Sequence, residues 1–161
     1  MIILGLDPGT TTTGFGVVKI LKKEGKKSFK CLTHGIIQLS PSLSIPERLQ
    51  KIYLEINKLI KKYQPKLLVV ENIYFFKNLK TAFQISEAKG VILLAAAQKK
   101  ILIEEYSPLQ IKMNVCGYGR ASKKQIQRMI KTLFGLKELP IDDAADALGA
   151  IFCALNLRLK I

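Results

Sequence analysis

Asp7, Glu71, Asp142, Asp143 and Asp146 are the residues whose type and spacing could do chemistry. Asp7 follows the apolar run 1–6 and opens Asp7-Pro8-Gly9, so it stands where a buried strand gives way to a turn. Glu71 closes KLLVVE, a continuous apolar run of the kind buried on both faces of a sheet. A ligand site at the carboxyl ends of strands is the general rule for sheets of mixed helix and strand. The remaining acids lie in IDDAADALGAIFCAL, where residues three or four apart share a helix face. Asp143 and Asp146, or Asp142 and Asp146, can therefore point the same way, about 60° and about 40° apart around the helix. An Asp-Pro-Gly turn explains Asp7 alone, and the helix dipole explains one acid at a helix start. Neither explains acids at two strand ends and a helix start together.

Like charges on adjacent turns repel, so such a cluster costs stability unless a cation neutralises it. Hard oxygen ligands suit magnesium or manganese, which take carboxylates, water and substrate phosphate. Two such ions about 4 Å apart can activate a water and stabilise the leaving oxygen of a phosphodiester. The chain as a whole has the opposite sign: 26 basic against 12 acidic residues leave a net charge of +14. That excess points to a polyanionic partner, nucleic acid before an anionic membrane surface. A lysine-rich bias, as in Lys61-Lys62 and Lys99-Lys100, contributes to it.

The elements that must position these acids follow from patterning. With 161 residues and 48% hydrophobic content, one domain over 1–161 with a real core is expected. Residues 14–20 form a second apolar run, so 1–20 resembles a hairpin, and 29–39 is a third strand. Residues 44–63 carry an apolar stripe at helical spacing, with Ser44 and Glu47 at capping-box spacing and Pro65 as the stop. The 66–71 strand follows this helix and is expected to run parallel to its neighbour. Residues 78–100 read as a helix starting from Asn78, its Phe83, Ser86, Gly90, Leu93, Leu94 and Ala97 spaced for one close-packing face. A neighbouring helix of the same chain is the first expectation for that face, and a subunit interface the second. A short strand over 101–105, a loop or short helix over 106–122, a helix over 122–134 and a last helix from 142 to about 157 complete the chain. Cys31, Cys116 and Cys153 fit neither a disulfide framework nor a zinc site, and His34 reads as a surface or hydrogen-bonded histidine. No signal peptide or membrane span is evident, so a cytoplasmic protein without a membrane partner is expected.

Four stretches in order, LGLDPGTTTTGFGVV, VVENIYFFKN with EAKGV, GYGRASKKQIQ and DDAADALGA, resemble the successive signatures of the RuvC Holliday-junction resolvases. The resemblance spans residue 1 to about 155. It implies an α/β fold of the ribonuclease-H-like kind, a five-stranded mixed sheet with the first three strands antiparallel and helices on both faces. It implies a homodimer that cuts four-way junction DNA by paired symmetric nicks, using magnesium or manganese, with branch-migration proteins as further partners. Carried across, the family's catalytic and metal-binding tetrad falls on Asp7, Glu71, Asp143 and Asp146. Its aromatic junction contact falls on Tyr74 and its basic contacts on Lys112 and Lys123. Lys77 and Asn78 match a further stretch near the junction, and Arg120 and Lys124 flank the basic segment as DNA-binding candidates.

Two other functions remain in view. A sugar or acetate kinase type of phosphate-binding hairpin resembles DPGTTTTGFGVV, but it needs a second similar domain for which 161 residues leave no room. A DNA-binding module without catalysis accounts for the charge but not for converging carboxylates, which repel the ligand unless metal is present.

Overall fold

A computed structural model describes every residue except 10, 24–25, 73–78 and 159–161. Tyr74, Lys77 and Asn78, named above as DNA contacts, lie outside the described residues, as does the expected Asn78 helix start. Five strands form a single sheet: β1 (Ile2–Asp7), β2 (Thr12–Lys23), β3 (Lys26–Gln38), β4 (Leu67–Glu71) and β5 (Leu102–Tyr106). Their order is β3-β2-β1-β4-β5. β1, β2 and β3 pair antiparallel, and β4 and β5 join them in parallel. The α/β architecture expected from the sequence is the one observed.

Alternation along the strands divides the core in two. Ile3, Leu67 and Val69 face one side, while Leu4, Leu6, Leu68 and Val70 face the other. The second side is covered by α1 (Ile45–Tyr63) and α2 (Leu79–Gln98). On α1 the capping box forms, with the Ser44 N–H donating to Glu47 Oε2 at 2.7 Å, and the stripe Ile52, Ile56 and Ile60 is buried. Each such side chain contributes roughly 1.5–3 kcal/mol by leaving water. The first side is covered by α3 (Pro108–Cys116), α4 (Lys123–Phe134) and α5 (Asp142–Cys153), the last continuing as a π-helical turn over Ala154–Arg158.

One expectation is corrected. Of the α2 face expected to pack closely, Leu93 does reach the core, but Phe83, Ser86, Gly90, Leu94 and Ala97 are exposed: Phe83 is 69% and Leu94 53% exposed, and a Cβ on Gly90 would meet nothing within 4 Å. Ala88, Ile92, Ala95 and Ala96 are the buried residues instead, because the stripe facing the sheet lies on the other side of the helix. The stretch after β5, expected as a loop or short helix, holds a nine-residue helix, α3, whose start is marked by Ser107-Pro108-Leu109-Gln110 as a capping box with proline in the first turn. The cysteines are free, Cys153 buried and the others half-buried. Among the described residues no helix is long and apolar enough to cross a membrane.

Candidate metal centre

Asp7 and Glu71 end adjacent parallel strands, and the register Leu6↔Val70 sets them side by side. Period-two alternation then aims both at the side on which Ile3, Leu67 and Val69 lie, beneath α5. Two carboxylates 64 positions apart in sequence thus share one edge because both strands stop at the same level.

Helix α5 brings the others, and it does so by lying unusually close to the sheet. A Cβ on Gly5 of β1 would collide with the Ala147 carbonyl oxygen and the Ile151 side chain, and one on Gly14 of β2 with the Asp143 carbonyl. On the helix side, Ala144, Ala145 and Ala147 are fully buried and small enough to permit the approach. Asp146 thereby joins Asp7 and Glu71, with one carboxylate oxygen from each lying within 4.8 Å of the others. Among the described residues this is the one group with metal-ligand geometry. Asp143 lines the same cavity, but its Oδ2 accepts a hydrogen bond from the Thr12 hydroxyl at the start of β2. Of the tetrad Asp7, Glu71, Asp143 and Asp146, three converge fully and Asp143 stands beside them, held by a threonine.

The cavity is about 400 Å³, and Asn72, Lys112 and Lys123 are among the residues that line it. Burial, reinforced by Glu71, Asp146 and Asp143, pushes the Asp7 carboxyl up to about 9 against the pull of Lys123. Burial and then Asp146 push Glu71 up to about 8, opposed by Lys112 and Lys123. Asp146 rises to about 6, chiefly through burial, with Lys123 opposing. These carboxylates cannot all carry charge at neutral pH without a cation among them. The donor set, carboxylate oxygens alone, fits a hard divalent ion such as magnesium or manganese.

Lys112 comes from α3 and Lys123 from the first turn of α4, each placed by a serine–glutamine capping box, Ser107 with Gln110 and Ser122 with Gln125. Lys123 donates to Asp142 Oδ2 at 2.9 Å, which raises its own pKa. Two residues after Pro140, at the helix entry, the Asp142 carboxylate is expected to cap free backbone N–H groups, and its pair with Lys123 corrects that expectation. The helix cap is Ile141 without a side-chain bond, Asp142 is the first helical residue, and its carboxylate turns to Lys123 instead of to backbone N–H groups. Arg120 and Lys124 are exposed and do not line the cavity. Size does not mark the site: a cavity of about 520 Å³ between the ends of α1 and α2 is lined by Lys61, Lys66 and Lys99 and holds no carboxylate.

Three participants were not singled out from sequence. Thr12 was one of four consecutive threonines with nothing to distinguish it. Asn72 directly follows Glu71, a signal that was available. Lys89, one of many lysines, donates to Asn72 Oδ1 at 2.8 Å and to Glu105 Oε2 at 2.5 Å.

Comparison with known proteins bears on what this arrangement does. The family model for crossover junction endodeoxyribonuclease RuvC matches residues 3–154. A crossover junction endodeoxyribonuclease RuvC from Alkaliphilus metalliredigens is 48% identical over 154 residues, covering 95% of this chain and 92% of the relative. The Thermus thermophilus RuvC structure superposes with a TM-score of 0.85 at 30% identity, covering 99% of this chain and 96% of that one. The T. thermophilus RuvC in complex with Holliday junction substrate matches with the same TM-score at 27% identity, covering the same shares of each chain.

Proposed function

Because the chain belongs to the crossover junction endodeoxyribonuclease RuvC family, whose model spans residues 3–154, we propose that it resolves four-way DNA junctions by paired symmetric nicks. The observation that carries this reading is the convergence of Asp7, Glu71 and Asp146 within 4.8 Å in a cavity that Lys112 and Lys123 also line. The catalytic residues are Asp7, Glu71, Asp146 and Asp143, on a single nuclease domain over 1–161. They would hold two magnesium ions, with manganese able to replace them, and when bound these supply an activated water and stabilisation of the leaving oxygen.

The protein's own groups have separate tasks. Asp7 is acted on by Glu71, Asp146 and Asp143 together, which makes its carboxylate the one shared by the whole site. Thr12 fixes the Asp143 carboxylate so that it does not rotate into the other three. Lys112 and Lys123 offset the field of the acids, without which a phosphodiester would be repelled. Arg120 and Lys124, exposed near the start of α4, add positive charge for the DNA arms, and Tyr74, Lys77 and Asn78 act at the junction itself. Two such sites related by a two-fold axis suit a four-way junction. The open α2 face with Phe83, Gly90 and Leu94 is the natural dimer contact, since Phe83 and Leu94 are exposed and nothing among the described residues covers the face. Branch-migration proteins would act on the same junction, in the cytoplasm where the DNA lies.

The test is cleavage of a synthetic four-way junction with and without magnesium. Paired nicks at symmetric positions with magnesium, and none in chelator, are expected; cleavage unaffected by chelator would end the metal reading. Gly90→Arg is expected to give a monomer by light scattering that loses paired nicking. A dimeric, fully active Gly90→Arg protein would move the interface elsewhere.

A further inference from the structure

Lys89 is a lysine that the fold has largely withdrawn from water, its side chain only 12% exposed. It extends from α2 between two acceptors, Glu105 of β5 and the Asn72 side chain. Holding α2 to β5 requires only the Glu105 pair, so the bond to Asn72 calls for a separate account. Asn72 is fixed twice over. Its backbone N–H donates to the Tyr106 carbonyl at 2.8 Å, extending the β4–β5 ladder one residue past Glu71, and its Oδ1 accepts from Lys89. An ammonium group has donors only, so it dictates which end of the amide faces it. The Asn72 oxygen is turned to Lys89, and the NH₂ is turned away. Among the described residues nothing accepts from that NH₂, and no buried side-chain nitrogen or oxygen lacks a partner, so it opens to solvent. Asn72 lines the same cavity as Asp7, Glu71 and Asp146.

We propose that Asn72 contacts the substrate, donating from its amide to a phosphate oxygen beside the carboxylates, and that Lys89 is the positioning residue that sets the amide's orientation. The proposal rests on the junction-cutting reading above. A neutral donor is chemically apt there. Lys112 and Lys123 already bring positive charge to the cavity, and an amide adds a hydrogen bond to the phosphate without altering the charge of the site. Without Lys89 the Asn72 amide is free to flip and present its oxygen, which repels phosphate.

The test measures single-turnover cleavage of a synthetic junction with magnesium, and junction binding in chelator, for Asn72→Ala, Lys89→Met, Lys89→Arg and the double variant Asn72→Ala/Lys89→Met. Asn72→Ala is expected to cut roughly 10- to 100-fold more slowly, the size of one lost hydrogen bond to a charged group. Metal-free binding should stay within about threefold of wild type, since many phosphate contacts remain. Lys89→Met should lose a similar factor and Lys89→Arg recover most of it. The double variant should be no slower than the slower single one, because both changes silence the same amide. If Lys89→Met folds poorly, Lys89→Met/Glu105→Gln removes the carboxylate left unpaired and takes its place in the cycle. Asn72→Ala cutting at the wild-type rate would overturn the substrate contact, and independent factors that multiply in the double variant would overturn the positioning role. Failure of the wild-type protein to cut the junction would instead sink the functional reading, which the same assay shows separately.

Discussion

The two faces of the sheet are built on different principles. Beneath α1 and α2, contact is made by side chains: Leu4, Leu6, Leu68 and Val70 of the strands meet Ile52, Ile56, Ile60 and Ile92 of the helices. Beneath α5, contact is made close to the backbone, with Gly5 and Gly14 against the Ala147 and Asp143 carbonyls. The first face is an ordinary core in which branched residues fill space. The second trades some of that filling for proximity, and proximity is what brings acids from a helix to acids at strand ends. Changes on the first face should therefore cost stability, while changes on the second should cost activity first.

The sharpest version of that contrast is Asp7→Asn. Cleavage is expected to fall by roughly a thousandfold or more, beyond the 10- to 100-fold typical of a metal site's outer partners. Near neutral pH the metal-free protein should melt at the same temperature or higher, because Asp7, raised to about 9, must take up a proton on folding whereas an asparagine need not. A variant that cuts near the wild-type rate would remove Asp7 from the site.

Gly5→Ala and Ile56→Ala put the two faces side by side. Ile56→Ala should cost about 2–5 kcal/mol of stability by leaving a cavity, yet the folded protein should cut normally. Gly5→Ala should cost about 1–3 kcal/mol by overpacking. By pushing back the helix that carries Asp146, it should also slow cleavage about 100-fold in protein that is fully folded, as a misplacement of about 1 Å can. Denaturation and single-turnover rates measured on both variants decide it, and equal rates would erase the distinction between the faces.

Stability against pH should also distinguish them, since the raised carboxyls all lie on the α5 side. Asp146 at about 6, Glu71 at about 8 and Asp7 at about 9 stand above their ordinary values, so the folded state holds protons that the unfolded state has released. Their contribution is fully present below about pH 4 and is lost as pH rises through 6 to 9. In chelator, the melting temperature should decline across that window, and magnesium should flatten the decline by stabilising the ionised carboxylates. A profile that rises from pH 5 to 9 without metal would contradict the assignment.

The smallest effect is expected at Asp142. Its pair with Lys123 is exposed, at 36% and 72%, so Asp142→Ala should cost at most about 1 kcal/mol and leave magnesium-dependent cleavage largely intact. Asp143→Asn should fold normally and fail to cut. The reverse pattern would exchange the roles of the two neighbours.

Much of this site could be read along the chain because its signals are local. A strand that ends in a carboxylate, an apolar run long enough to be buried on both faces and a serine three residues before glutamate each declare themselves within a few residues. Asp7, Glu71 and the helical acids were therefore visible as candidates, and the order of the motifs identified the family. What only the tertiary structure decided is how elements dock. Asp142 and Asp143 were both within reach of Asp146 by helical spacing, and the docking of α4 turned one to Lys123 while the hairpin gave the other to Thr12. The exposed stripe of α2 had helical spacing as good as a buried one, and only the position of the sheet told them apart. The Lys89 bond to Asn72 spans 17 residues, and its Glu105 bond 16. No local pattern encodes such contacts, because they depend on where the helix comes to rest against the sheet, and that is set by packing over the whole core.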